Sequence, residues 1–466
     1  MEQTAEQKRF SWFIRDPSFY KKLAIIALPV AGQNVIGFGV GFIGNYMVTH
    51  LGDSSVSGIY LANQIQGIYQ MLIMGLAAAL VMLATQYYGK KDIRSVKVII
   101  SFSLQIAVGV GLALFVAMTF FARPVIGLLS NADSAISEAV VYMSLVRWSF
   151  VIFGITNVLL ASLRCAGNTY IGFATSCVAF LSNLLFSYTF IYGNFGAPEM
   201  GVAGAGLAVL LTRVFELCLV GFYVLRIDKK IKYRPKDLLL RSKMLSFDYF
   251  RYGLPVIFGD FTWGLGTMAK AAIIGRLGES VIAANAIVGN LSTLFAIFVY
   301  GMATAGSLTV GQVIGKNDFV TAKNYTKTLQ VIYPCIGLVS AAVMFVMRGP
   351  ILSLYANQAL TPQTMIHCVE FYTILCVTLV GTSYQMSTLQ IVRAGGAPHF
   401  VFVNDLIFVW LVMVPMALIA NTFFNAPPWF IIFSLNCDQI LKSFVAMVKA
   451  NRFRWMKNLT RQEAVS

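Results

Sequence analysis

The sequence predicts an all-α polytopic membrane protein of about twelve transmembrane helices, arranged as two pseudo-symmetric six-helix lobes. Three observations predict it. Apolar residues fill 58% of the 466 positions and charged residues only 12%, about half the roughly 25% that covers a soluble domain. Apolar stretches that match the roughly 20 residues of a helical span recur twelve times. The second half of the chain also repeats the first.

The stretches lie near 24–50, 56–85, 95–121, 137–162, 170–193, 202–226, 249–277, 281–311, 322–347, 365–392, 400–423 and 427–449. They are too long and too continuously apolar for the short alternating strands of a membrane β-barrel. The longest polar interruption, Asp228 to Lys243, divides them six and six. The expected organisation is a cytoplasmic segment at 1–22, a first lobe at 23–226, a cytoplasmic linker at 227–248, a second lobe at 249–450 and a cytoplasmic tail at 451–466.

A shift of 226 positions aligns the halves without a gap from Leu28 to Lys97. Leu28-Pro29-Val30 falls on Leu254-Pro255-Val256, and Leu51-Gly52 on Leu277-Gly278. Gln86, Gly89, Lys90 and Asp92 fall on Gln312, Gly315, Lys316 and Asp318. Shared hydrophobicity does not place identical Pro, Gly, Gln and Asp in register, so this is an internal repeat. An even number of helices per half makes it a parallel repeat, which implies a substrate path between the lobes near the midplane and alternating access by rocking. Pro29 and Pro255 stand at equivalent places in helices 1 and 7, and each removes a backbone donor and favours a bend. Tight packing through the glycines that follow them is the plainer role.

The net charge of +16 reflects position, not a nucleic-acid partner. With the N-terminus inside, 28 of the 35 Lys and Arg fall in cytoplasmic segments, nine of them between Arg226 and Arg251. That is the positive-inside bias, and it predicts both termini in the cytoplasm of a cell-membrane protein whose basic loops meet anionic lipid. The segment at 8–14, KRFSWFI, is a candidate for lying along the bilayer surface. No cleavable signal peptide precedes helix 1. Seven cysteines without a CxxC pair read as small packing residues. His50, His367 and His399 are scattered, no nucleophile motif or phosphate loop occurs, and no metal spacing is present. The expectation is therefore a transporter and not an enzyme, without a cofactor and without a metal.

The motifs resemble the multidrug and toxic compound extrusion (MATE) family, within the multidrug/oligosaccharidyl-lipid/polysaccharide flippase superfamily. The resemblance rests on Pro29, Met47 to Gly52 (MVTHLG), Gln86 to Asp92 (QYYGKKD), Asn157 with Leu163 to Thr169 (LRCAGNT), and Gly201 to Ala205 (GVAGA). Arg393 to Pro398 (RAGGAP) and Arg452 to Trp455 (RFRW) continue it through the second half. It implies two six-helix bundles and export of amphipathic, often cationic compounds driven by inward proton or sodium flow. It also implies a monomer whose partners are a small-molecule substrate and the bilayer. Asn157 and Asn183 match polar positions of the family's first-lobe cavity. The family's usual ion-coupling acids are replaced here: Gly44, with Asn45 beside it, Trp263 and Thr382 occupy their places.

Charges within spans are expensive and mark pathways. Arg147, Arg213, Glu216, Asp260, Lys270, Asp438 and Lys442 fall there, while Glu370 and Asp405 lie near span ends and read as interfacial. Arg213–Glu216 and Asp438–Lys442 are spaced to pair on one helix face. Asp260 has no basic residue three or four positions away. As an unpaired carboxylate it is the first coupling candidate, ahead of Glu216 and Asp438. Asn34 is its repeat partner, and Gly44 is that of Lys270. Asn34, Asn45, Asn157, Asn183, Arg147, Arg213, Trp263 and Lys270 are the substrate-cavity candidates. Lys270, facing a cavity unpaired, would favour an anionic or zwitterionic substrate. That keeps a second function open, a flippase for a lipid-linked sugar or lipid.

Overall fold

The structure, a computed structural model, describes residues 13–130, 132–356, 361–424 and 426–461. The candidate surface segment at 8–14 lies outside them up to position 12. Nine helices among the described residues are long and apolar enough to cross a membrane, and a tenth span is a pair bent by 53°. In chain order the spans are α1 (Pro17–Val48), α2 (Asp53–Gly89), α3 (Ile93–Phe120), α4 (Asp133–Val146 with Ser149–Cys165), α5 (Tyr170–Tyr192), α6 (Gly201–Ile227), α7 (Lys243–Ile274), α8 (Glu279–Gly315), α9 (Phe319–Val346), α10 (Pro362–Ala394), α11 (Pro398–Thr422) and α12 (Pro428–Arg452). The 32-residue helices α1 and α7 complete the expected twelve.

The repeat read from sequence extends to the helix ends. The first three helices of the two halves run 32, 37 and 28 residues each, displaced by the same 226 positions. Gly52 and Gly278, at φ 94° and 106°, place the chain before α2 and α8 in a region closed to side chains. Asp92 and Asp318 cap α3 and α9 by accepting from the amides of Ser95 and Thr321. Such caps satisfy donors that the first helical turn leaves open. The halves differ at the fourth span, where α10 is continuous and α4 breaks at Arg147–Trp148.

Two compact units emerge. One comprises residues 1–31 and 258–460, the other 32–257 and 461–466. They differ from the expected lobes at 23–226 and 249–450, because the first half of α1 belongs with the second repeat and the first half of α7 with the first. The cause is a matched glycine contact. A Cβ on Gly301 of α8 would stand 2.6 Å from the Ala27 carbonyl oxygen, and one on the repeat-equivalent Gly75 of α2 would stand 3.0 Å from Ile257 Cα. Bare glycine lets these backbones meet, the packing that holds helices together in lipid. Tyr249 adds a 2.9 Å hydrogen bond to the Leu76 carbonyl.

The linker is packed, not loose. Lys97 pairs with Asp237 at 2.8 Å, and Tyr233 shares a 2.9 Å hydrogen bond with Ser101; burial pushes the Tyr233 phenol up. Arg461 grips Asp248 through two bonds of 2.8 and 2.6 Å, which raise its pKa further. All seven cysteines are free. Four are buried as packing residues, whereas Cys177 is half-buried and Cys218 and Cys335 are exposed.

Both prolines lie inside continuous helices, Pro29 in α1 and Pro255 in α7. Two residues after each, the helix passes from one unit to the other. Pro29→Ala and Pro255→Ala restore a backbone donor at those positions. Each variant is expected to insert and run as a single species on gel filtration while its transport rate falls several-fold. Wild-type rates in both variants would leave the prolines only a packing role.

Candidate functional site

Each unit holds a polar cavity. In the unit of residues 32–257, a cavity of about 460 Å³ is lined by the second half of α1 and by α2, α4, α5 and α6. The size suits a drug-like ligand, whose sites run to roughly 300–1,000 Å³. Four sequence candidates line it: Asn157, Asn183, Arg213 and Glu216. Asn157 donates to the Phe153 carbonyl at 2.9 Å and Asn183 to the Thr212 hydroxyl at 3.3 Å. Arg213 pairs with Glu216 at 2.7 Å, as the spacing predicts, and its guanidinium lies 4.7 Å from the centre of the Phe153 ring. Among the described residues these are the only charged ones in the lining, and they neutralise each other.

Sequence reasoning missed the amides of Asn63, Gln66 and Gln70, which with Ile59 form one face of α2 in the same lining. The signal was present, since positions 59, 63, 66 and 70 follow the helical period. Asn34 and Arg147 are not among the residues that line this cavity. Asn34 is exposed. Arg147 sits at the break in α4, 5.9 Å from the Phe115 ring, with its Nε buried and unpartnered. The Asn45 side chain lies outside the described residues.

In the unit containing residues 258–460, a cavity of about 260 Å³ is lined by α7, α8, α10 and α12. It is the counterpart of the first. Gly44, Val48, Ile59, Asn63 and Gln66 line one cavity, and their repeat partners Lys270, Ile274, Asn285, Gly289 and Ser292 line the other. The ammonium of Lys270 donates to Asn436 Oδ1 at 3.0 Å. Asn436 is oriented for this by its own amide, which donates to the Ile432 carbonyl at 2.8 Å. Trp263, half-exposed, lines neither cavity.

Asp260 is not the unpaired carboxylate expected from its helix. Arg393 of α10 holds it at 2.9 Å, a partner 133 positions away that helical spacing cannot reveal. The first repeat makes the analogous contact with an amide, Arg164 donating to Gln33 at 3.0 Å. Asp405, expected at the interface, is half-buried and paired. Its carboxylate meets Lys442 at 3.1 Å, and Lys442 also meets Asp438 at 3.3 Å, the i,i+4 pair expected. Side-chain exposures are 3% for Lys442, 4% for Asp438 and 14% for Asp405. Gln439 donates to both oxygens of Asp438 and accepts from Gln385 at 2.8 Å. Two carboxylates share one ammonium, and the charges of Arg393 and Lys270 also act on Asp405 and Asp438 respectively. Glu370 is half-buried, beside His367 at 3.1 Å.

Comparison with known proteins agrees with this architecture. The MatE family model matches residues 29–189 and 255–419. Among curated proteins, the chain is 22% identical over 456 residues to one named "Probable multidrug resistance protein NorM" from Thermotoga maritima, covering 96% of each. Among solved structures, a MATE protein in complex with MaL6 superposes with a TM-score of 0.85 at 17% identity, over 93% of this chain and 96% of that one. A MOP superfamily transporter from Pyrococcus furiosus gives 0.83 at 18% identity, over 99% and 100%. With a family match across both repeats, a shared twelve-helix fold and a polar cavity in each unit, the chain belongs to the MATE family of multi-pass membrane transporters.

Proposed function

We propose that the protein is a secondary active efflux transporter that exports small amphipathic compounds across the cell membrane in exchange for protons or sodium ions. It works as a monomer with both termini in the cytoplasm, and the two lobes rock to give alternating access. The multidrug resistance name of its curated relatives supports the substrate class. The observation that carries the coupling is the cluster of Asp405, Asp438 and Lys442. Ion-driven transport needs a buried group whose occupancy changes with the gradient and biases two conformations unequally. Of the acids in the spans, Asp260 and Glu216 are each matched by an arginine. Asp405 and Asp438 divide the contact with one lysine, and a carboxylate that shares its counter-ion is one that a proton or sodium ion could neutralise.

The test is transport by the purified protein in proteoliposomes. A proton gradient and a sodium gradient are imposed separately, and an amphipathic dye cation and an amphipathic dye anion are followed in turn. The expected result is uphill movement of at least one dye under one gradient, abolished by an ionophore that collapses it. Movement that never exceeds protein-free liposomes under either gradient would overturn the proposal.

A further inference from the structure

We propose that the cavity around Lys270 is a binding subsite for an anionic group, a carboxylate or a phosphate, carried by an amphipathic ligand. This rests on the transporter reading and deepens it by naming the substrate chemistry. The two cavities are built from repeat-equivalent positions of α1 with α2 and of α7 with α8. Among these equivalent positions, charge differs at one. Gly44 lines the first cavity, and a Cβ there would meet nothing within 4 Å. Lys270 lines the second and, among the described residues, is the only charged one in its wall.

A cation inside the bilayer is costly unless it is paired or serves a ligand. No carboxylate among the described residues pairs with Lys270; its hydrogen bond goes to the neutral Asn436. An ammonium has three donors, so two remain for the cavity, where Thr267, Asn285 and Ser292 also present polar groups. The nearby Asp438 is not available as its counter-ion, because Lys442 and Gln439 already hold it. Phe371, Leu375, Ile432 and Leu435 line the same cavity and offer apolar surface for the rest of the ligand. A charged hydrogen bond from an ammonium to an anion is among the stronger polar contacts, and a partly enclosed wall strengthens it further.

The experiment is equilibrium binding to full-length protein in nanodiscs of phosphatidylcholine. Three probes share one apolar body and differ in charge: 4-phenylbutyrate, its primary amide and 4-phenylbutylamine. Wild type is expected to bind the carboxylate at least tenfold more tightly than the amide or the amine. Lys270→Gln should erase that preference, and Lys270→Arg should keep it. A second arm replaces part of the phosphatidylcholine with phosphatidylglycerol. If the lipid phosphate is the natural occupant, carboxylate affinity falls as that fraction rises, in wild type and not in Lys270→Gln; if a soluble anion is, affinity does not change. Either result supports an anionic subsite and identifies its source. Absence of carboxylate binding, or equal affinity for all three probes in wild type, overturns the proposal, as does a preference that survives in folded Lys270→Gln. Binding needs no ion gradient, so failure of the exporter reading would leave this result standing, and the reverse holds.

Discussion

Lys442→Met is expected to destabilise the folded protein by about 3–5 kcal/mol, the usual cost of removing one partner from a buried ionic group. Lys442 is 3% exposed and touches two carboxylates that are themselves largely buried. Without it, Asp405 and Asp438 lose the one ammonium that contacts both of them in a low dielectric. Thermal denaturation in detergent, followed by gel filtration, measures the loss. Asp405→Asn and Asp438→Asn should each be much milder, because Lys442 keeps one carboxylate. Joining Lys442→Met to both Asn substitutions removes all three charges and should recover most of the stability, since replacing a whole buried ionic group is often nearly neutral. A Lys442→Met protein that melts with wild type would show that the cluster does not hold its charges buried.

The same carboxylates should control coupling. In folded Asp405→Asn or Asp438→Asn, gradient-driven accumulation in proteoliposomes is expected to fall at least tenfold, with substrate binding retained. An amide keeps the size and hydrogen bonding of the acid but cannot exchange a charge. A ligand shifts a two-state equilibrium only through its differential affinity for the two states, so a cluster that no longer takes up the ion cannot transmit the gradient. Asp260→Asn is the comparison. Its carboxylate is 29% exposed and committed to Arg393, so its loss should lower the rate less and leave the dependence on the gradient in place. Uphill transport that persists in both Asp405→Asn and Asp438→Asn but vanishes in Asp260→Asn would return the coupling role to α7.

The composition, the spans and the repeat were legible in the sequence, and the repeat more completely than its motifs suggested. The displacement that aligns Pro29 with Pro255 also aligns the ends of α1, α2 and α3 with those of α7, α8 and α9. These features are local: span length follows bilayer thickness, and caps such as Asp92 and Asp318 act within a few residues. The pairs Arg213–Glu216 and Asp438–Lys442 were legible for the same reason, since residues three or four apart share a helix face.

The contacts between helices were decided only by the tertiary structure. It gave Asp260 its arginine, brought Asp405 to Lys442, set Lys270 in a cavity wall and turned Arg147 away from one. It also assigned the first halves of α1 and α7 to the opposite repeat. In water, an apolar stripe on a helix points to the core. In lipid, the face that meets a neighbouring helix and the face that meets acyl chains are both apolar. Sequence therefore determined how many spans this chain has, where along it they lie and which of them correspond. It left open how each helix is rotated and which partner it meets, and those rotations decide which buried charges are matched and which face a ligand.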